Sequence, residues 1–444
     1  MTPIAKLRAI EILDSRGRPT IKATCQLQSG LRGSASVPSG ASTGQAEAVE
    51  LRDGDPRRYR GLGCRRAINQ INQEVCAAVQ GKSFGDQGEF DRFLVELDRT
   101  PDKARLGANG ILAVSLAFAR AAAAENGLPL YSYFADLIAR PVQTLPLLSI
   151  NLFSGGKHAG SQVPIQDVLI LPASARTVDE ALSMMFEVYQ CATEHMHRHY
   201  GMRALTADEG GLAPPFPNVE SMFENALQAV ALAGFRPGGD ICLGIDVAAS
   251  HFFKKGFYHL DGSSLTSELM IERLVRWAKT YPIASVEDGL AEEDWTFWPQ
   301  LRRSLAEKAL TVGDDLLCTN PARIRKAIQL KAADCLLLKV NQIGTIAEAL
   351  EAYQLARNAG WRVTVSARSG ETEDNWLADL AVGWSADQIK VGSIRQSDRL
   401  AKYNRLLEIE LEKALPIVNW PESFKMRQRV DFKAPGARGR TGSG

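Results

Sequence analysis

Ile241-Cys242-Leu243-Gly244-Ile245-Asp246, Ile283-Ala284-Ser285-Val286-Glu287 and Ala309-Leu310-Thr311-Val312-Gly313-Asp314 are three short apolar runs, and each stops at an acid. A short apolar run bounded by polar residues reads as a fully buried parallel strand. Amphipathic patterns of helical length lie between the runs, at Ser267–Thr280 and at 295–308. Strand alternating with helix predicts βα units around a parallel sheet. An acid at the C-terminal end of each successive strand puts three carboxylates, Asp246, Glu287 and Asp314, on one rim. Three such charges repel one another unless a cation sits among them, and a hard oxygen ligand set suits Mg²⁺. The competing reading is that the three acids are helix N-caps, a place that favours Asp.

Downstream, three more strands are expected at 334–340, Arg362–Ser366 and 387–391, each followed by a helical pattern. Six βα units in a row predict a closed barrel rather than an open sheet. Upstream, 147–153 and 163–171 are strands close in sequence, so they should be antiparallel neighbours. A long helix follows at Val178–Tyr200 and another at 219–234, and a last helix at 398–415 closes the barrel.

The first part of the chain has another character. Residues 4–14 alternate apolar and polar, Asp14 to Pro19 turns, 21–28 alternates again, and a third run begins at Leu31. That is an antiparallel meander of three strands. The loop Pro38-Ser39-Gly40-Ala41-Ser42-Thr43-Gly44 is rich in glycine and hydroxyls and suits a lid over an anion, or else a plain surface loop. Helical patterns follow at 64–80, 87–97, Ala108–Glu125 and 130–139. The expected division is an α+β cap domain over 1–140, an α/β barrel over 141–430, and a disordered Gly- and Arg-rich tail over 431–444.

The whole chain of 444 residues has room for a barrel plus a smaller partner domain. Fifty-two Lys and Arg against 51 Asp and Glu leave a net charge of +1, which offers no basic surface for nucleic acid and no membrane signature. Charged residues interrupt the N-terminus before an apolar core forms, so no signal peptide is expected. Seven cysteines without paired spacing fit a reducing, cytoplasmic setting.

In a βα barrel the chemistry lies where strands end. Lys339 directly follows three leucines, where desolvation would lower its pKa and let it act as a base, although nearby metal-bound carboxylates would resist that; the competing reading is a salt bridge from Lys339 to one of the rim acids. Lys390 ends another strand. Arg368-Ser369-Gly370 offers a donor fork, a hydroxyl and a permissive backbone, a plausible phosphate or carboxylate clamp. Glu209, paired with Asp208 before two glycines, sits on a flexible turn from which an acid can donate a proton. His158 lies in a glycine-rich loop. His195 and His199 are one helical turn apart and form a rival metal site, but the zincin acid is missing and the helix is otherwise polar there.

These residues together resemble the enolase family, phosphopyruvate hydratase, along nearly the whole chain. The matching motifs are 39–44, 208–211, 285–290, 313–316, 336–344, 368–374 and 388–390. The resemblance implies an enolase-like eightfold α/β barrel with an N-terminal α+β cap domain. It implies a Mg²⁺-dependent hydro-lyase that takes the α-proton from a 2-phospho-3-hydroxy acid and eliminates water, as in glycolysis. Asp246, Glu287 and Asp314 would hold one Mg²⁺, and Ser42 would contribute to a second. Lys339 would be the base and Glu209 the acid. Lys390 would bind the substrate carboxylate, while His158, Arg368 and Ser369 would hold the phosphate. Asp167 would orient the leaving hydroxyl with Glu209. A homodimer is implied as well, with no partner beyond the small phospho-acid.

Three positions depart from the family pattern. Ala367 stands where enolases carry His, Asp167 where they carry Glu, and Ser154 where they carry Asn. Losing one charged donor costs about 1.5–3 kcal/mol if its bond forms in the transition state. The departures keep three expectations open: an enolase with a weakened site; an enzyme acting on a bulkier phospho-acid, similar to carboxyphosphonoenolpyruvate synthase of phosphonate biosynthesis; and a non-catalytic enolase-fold binding protein.

Overall fold

The computed structural model describes residues 1–41, 44–201 and 205–419, apart from the side chain of His158. Ser42 and the 431–444 tail therefore lie outside the described residues.

Eight strands close into a barrel: Leu147–Ser154, Asp167–Leu171, Cys242–Asp246, Ile283–Glu287, Leu310–Gly313, Cys335–Leu338, Arg362–Ser366 and Gln388–Gly392, with the last hydrogen-bonded to the first. Seven run parallel, while Asp167–Leu171 is antiparallel to both of its neighbours. All five residues of Cys242–Asp246 and of Ile283–Glu287 are buried. Helices cover one face and packed side chains the other, so a continuous apolar run fits better than an alternating one. The acids at the strand ends are not caps. The helices that follow them, Ser267–Thr280, Trp298–Leu305 and Pro321–Leu330, have Thr266, Phe297 and Asn320 at their N-caps.

Strand 163–171 of the sequence reading begins only at Asp167, because Gly156–Ala159 forms a turn of 3₁₀ helix and the chain between is irregular. A small sheet of three short strands, Phe253–Lys254, Phe257–Leu260 and Ser263–Leu265, is inserted after Asp246. No strand is expected there from the sequence pattern.

The N-terminal meander is Ile4–Leu13, Pro19–Leu27 and Arg32–Ser36. Ile21, Ala23, Cys25 and Leu27 are all buried, and the period of two turns them onto the helix Ala108–Glu125. Fifteen of that helix's 18 residues are buried. It is the central post of the cap, which explains its apolar composition, and no single described helix is long and apolar enough to cross a membrane. Arg120 is its half-buried charge. It reaches Asp374, on the loop after the strand Arg362–Ser366, at 2.6 Å and ties the cap to the barrel mouth.

A second tie runs along the loop that leaves the meander. Ser39 and Gly370 exchange backbone hydrogen bonds at 2.8 and 3.0 Å. A side chain at position 370 would meet the ends of the paired Arg16 and Asp14 side chains, which would have to shift, so glycine lets that pair sit against the loop. On the far side of the cap, Asp91 of the helix Gln87–Asp98 accepts from the Ala347 N–H at 2.8 Å.

Candidate active site

The ladder register decides which residues share the mouth. Ser154 pairs with Asp167, Asp167 with Asp246, and Asp246 with Glu287. Asp167 is the first residue of its strand, yet it stands level with strand ends because that strand runs backwards. Its carboxylate Oδ1 accepts from the Ser154 hydroxyl at 2.6 Å.

Lys390 belongs to the strand four places round the ring from that of Glu287, so it lies opposite. Its Nζ crosses the mouth to Asp246 Oδ2 at 2.8 Å and to both Glu287 oxygens at 2.8 and 2.7 Å. Gln166 Nε2 adds a bond to Asp246 Oδ2 at 3.0 Å. Burial opposes ionisation of Asp246, but the Lys390 ammonium outweighs it and holds the carboxyl at about 2. Glu287 goes the other way: burial and the Asp246 charge push it well above the ordinary carboxylate range. One ammonium shared by two buried carboxylates drives their proton affinities apart.

Asp314 follows the next strand and is ion-paired with the Lys339 ammonium. Of the two expectations for Lys339, a pKa lowered by burial and a salt bridge to a rim acid, the salt bridge is the one found. Burial does pull it down, but the Asp314 carboxylate outweighs burial and raises it above the ordinary lysine value. Asp314 Oδ1 also accepts from Gln342 Nε2 at 3.0 Å, and the Thr319 hydroxyl fixes that amide by donating to Gln342 Oε1 at 2.8 Å.

Asp288 and Asp315 were not picked out in the sequence. With Asp314 they bring one ligand oxygen each within 4.8 Å of one another. The two oxygens of Asp288 accept the backbone N–H groups of Asp314 and Asp315 at 2.9 and 2.7 Å. Asp288 thus shapes the turn that presents Asp314. Burial and the facing Asp314 charge push Asp315 up to about 7.

The acids and their cations test the fit of a divalent ion. Asp246, Glu287 and Asp314 are all buried, at 2%, 4% and 6% exposure, and among the described residues Lys390 and Lys339 are the cations that pair with them. The set is short of positive charge, it offers only oxygen, and it is preorganised by Gln166, Gln342 and Asp288. Oxygen donors of this kind suit Mg²⁺, although Asp246 and Glu287 are turned onto Lys390 and the acids whose ligand oxygens already lie within 4.8 Å of one another are Asp288, Asp314 and Asp315.

Glu209 is buried at 8% exposure, whereas Asp208 faces solvent. Asn151 Nδ2 donates to Glu209 Oε2 at 3.0 Å, and the Glu209 carbonyl accepts the Ser393 N–H at 2.9 Å. The turn is thereby stitched to the strand that carries Lys390.

Arg368 and Ser369 are close to the mouth but already engaged. Arg368 Nη1 and Nη2 donate to the two oxygens of Glu47 at 3.1 and 3.2 Å, and Nη1 also donates to Asn341 Oδ1 at 2.9 Å. Burial weakens the hold of Arg368 on its proton, but the Glu47 charge outweighs it. The Ser369 hydroxyl accepts from Arg16 at 3.1 Å. The fully buried Arg399 holds the loop from below, donating to the carbonyls of Arg368, Ser369 and Val391 at 2.7, 2.7 and 3.0 Å. Ala367 is buried beside the clamp. Ser42 and the His158 side chain lie outside the described residues. The rival histidine pair is accounted for locally: His195 bonds Asn225 at 2.9 Å, and its ring stacks on His199.

The mouth therefore brings Asp167, Asp246, Glu287 and Lys390 together, sets Asp314 with Lys339 beside them, and leaves Arg368 facing the cap. Glu47, Asn151, Gln342 and Asp288 are further participants whose types are common and whose partners are distant in sequence. Only the register and the fold could reveal them.

Comparison with known families agrees with this architecture. Residues 4–134 match the enolase N-terminal domain and residues 142–418 match the enolase C-terminal TIM barrel domain. Enolase-family proteins generally use Mg²⁺, in keeping with the acid-rich mouth. Matches to both domains, in order and spanning all but the ends and a short joint, mean that the chain belongs to the enolase family.

Proposed function

We propose that this enolase-family lyase catalyses Mg²⁺-dependent dehydration of a 2-phospho-3-hydroxy acid, with 2-phosphoglycerate giving phosphoenolpyruvate as the reference reaction. The observation that carries the reading is the meeting of Asp246 and Glu287 on the Lys390 ammonium, with the Asp314–Lys339 pair alongside. Asp246, Glu287 and Asp314 would hold the ion. Mg²⁺, when bound, would supply positive charge to the doubly charged carboxylate left by proton removal and would draw off the Asp314 charge that now keeps Lys339 protonated.

Lys339 Nζ takes the α-proton. Glu209, steadied by Asn151, donates a proton to the departing hydroxyl. Lys390 moves its ammonium from the acids to the substrate carboxylate. Arg368 and Ser369 hold the phosphate, and Asp167 lies near the leaving group. Ser42 and His158 complete the proposed contacts.

A second reading concerns the substrate alone. Ala367 is small beside the clamp, and Asp167 is drawn toward Ser154. The first feature favours a phospho-acid bulkier near phosphorus, and the second alters the surroundings of the leaving hydroxyl.

The test is Mg²⁺-dependent formation of phosphoenolpyruvate from 2-phosphoglycerate by wild type, Lys339→Ala and Ala367→His. Lys339→Ala should lose about 10²–10⁴-fold in turnover, and unchanged turnover would remove the proposed base. A rate that rises in Ala367→His supports 2-phosphoglycerate. No rate in either wild type or Ala367→His, with Mg²⁺-dependent binding of a larger phospho-acid, supports the second reading.

A further inference from the structure

The environment of Arg368 contains a feature that the proposed reaction leaves unused. Glu47, just beyond the loop that leaves the meander, meets the guanidinium end-on through both of its oxygens. Both side chains are almost fully withdrawn from water, at 4% for Arg368 and 7% for Glu47. A bidentate carboxylate removes the rotamer freedom of a long arginine and fixes the plane of its donor fork.

Glu47 is itself held in place. Its Oε1 accepts the Gly44 N–H at 3.1 Å and Gln342 Nε2 at 3.4 Å. The same Gln342 amide bonds Asp314 Oδ1 at 3.0 Å, and the Gln342 carbonyl accepts the Ala48 N–H at 2.8 Å. One cap carboxylate is thus built into the barrel mouth between the arginine and the acid-rich side.

Two opposite consequences could follow for an anion arriving at Arg368. As a charge, Glu47 cancels the arginine and should weaken anion binding. As a seat, it aims the fork and should strengthen it. The number of independent anchors on Glu47 favours the seat, because a side chain fixed from several directions is poorly placed to swing aside as a competitor.

We infer that Glu47 is a positioning residue, setting the plane of the Arg368 guanidinium for the phosphate of the substrate. This rests on the reading of Arg368 as the phosphate clamp.

The experiment is a titration of inorganic phosphate, in the presence of Mg²⁺, into the full-length wild type, Glu47→Gln, Glu47→Asp and Arg368→Ala, followed by ³¹P line width. Near-ultraviolet circular dichroism checks that each variant is folded. Glu47→Gln adds a net positive charge to the mouth, yet it should bind phosphate at least about tenfold more weakly, the scale of a misaimed contact. In turnover, its KM should rise more than its kcat falls. Binding as tight as wild type, or tighter, overturns the proposal. If Glu47→Gln does not fold, Glu47→Asp, whose carboxylate is shorter by one methylene, is judged by the same criterion. Undiminished binding in Arg368→Ala would instead sink the clamp itself. Weaker binding in Arg368→Ala with no change at position 47 would sink only the role of Glu47.

Discussion

The two sides of the barrel mouth hold buried charge in opposite ways. Around Lys390 the acids outnumber the cations, and Asp246 and Glu287 differ sharply in proton affinity because they share one ammonium. Around Arg368, Glu47 supplies a bidentate carboxylate and neutral Asn341 a further acceptor. The first side is made of strand ends, the second of loops and a cap residue. A charge imbalance kept on rigid strands suits an ion that must be bound, whereas a bidentate pair at a domain seam suits alignment.

Substitutions can break this contrast, beginning with the largest expected effect. Lys390→Met leaves two buried carboxylates without their common cation and should cost about 3–5 kcal/mol in urea unfolding. Added Mg²⁺ should recover part of that loss. A variant as stable as wild type would mean that the Lys390 side is not short of positive charge.

The cap seam provides a second test. Burial raises Asp91 from an ordinary 3.8 to about 7, against hydrogen bonds from Ser115, Ala347 and Gln87. Between those values the folded chain keeps a proton that the unfolded chain has released. Stability should therefore fall as pH rises from about 4 to 7, by about 2–4 kcal/mol. Asp91→Asn should flatten that part of the curve, measured as urea midpoints of variant and wild type across the range. Parallel curves would show that Asp91 ionises freely in the folded seam.

Smaller effects sharpen the contrast. Arg399→Met removes donors from three carbonyls beneath the Arg368 loop and should cost about 1–3 kcal/mol, with a higher KM in the proposed reaction. Thermal melts and steady-state kinetics of this variant would show whether the loop is braced from below. Asp288→Asn can serve only one of the two N–H groups that Asp288 now accepts. It should weaken Mg²⁺ binding about 10–100-fold, as expected for a residue behind a ligand. Calorimetric titration would detect this, and unchanged affinity would detach Asp288 from the presentation of Asp314.

Much of the barrel was legible because its strands are continuous apolar runs that end abruptly in charge. Ser267–Thr280 was predicted to the residue from its amphipathic pattern, and the structure adds Thr266 as its cap. The sheet spanning Phe253 to Leu265 was not, because strands of two to four residues are too short to show a period. At the site, the acids could be read from their positions, and so could the competition at Lys339 between burial and a rim acid, but not which of the two prevails. Lys339 follows three leucines, which suggests a depressed pKa, yet the decisive neighbour is Asp314, 25 positions earlier. Glu47 and Arg368 are separated by 321 positions, and no local pattern connects them.

The reversed strand Asp167–Leu171 has a topological consequence. It delivers the chain to the bottom of the barrel at Leu171, although the next strand, Cys242–Asp246, must also start from the bottom. The chain fills the interval with a round trip, climbing along Val178–Tyr200 and descending along Val219–Leu232, two helices packed together. An ordinary βα repeat would climb only along its strand. The extra ascent gives the polypeptide one more visit to the mouth, and Glu209 stands at its summit.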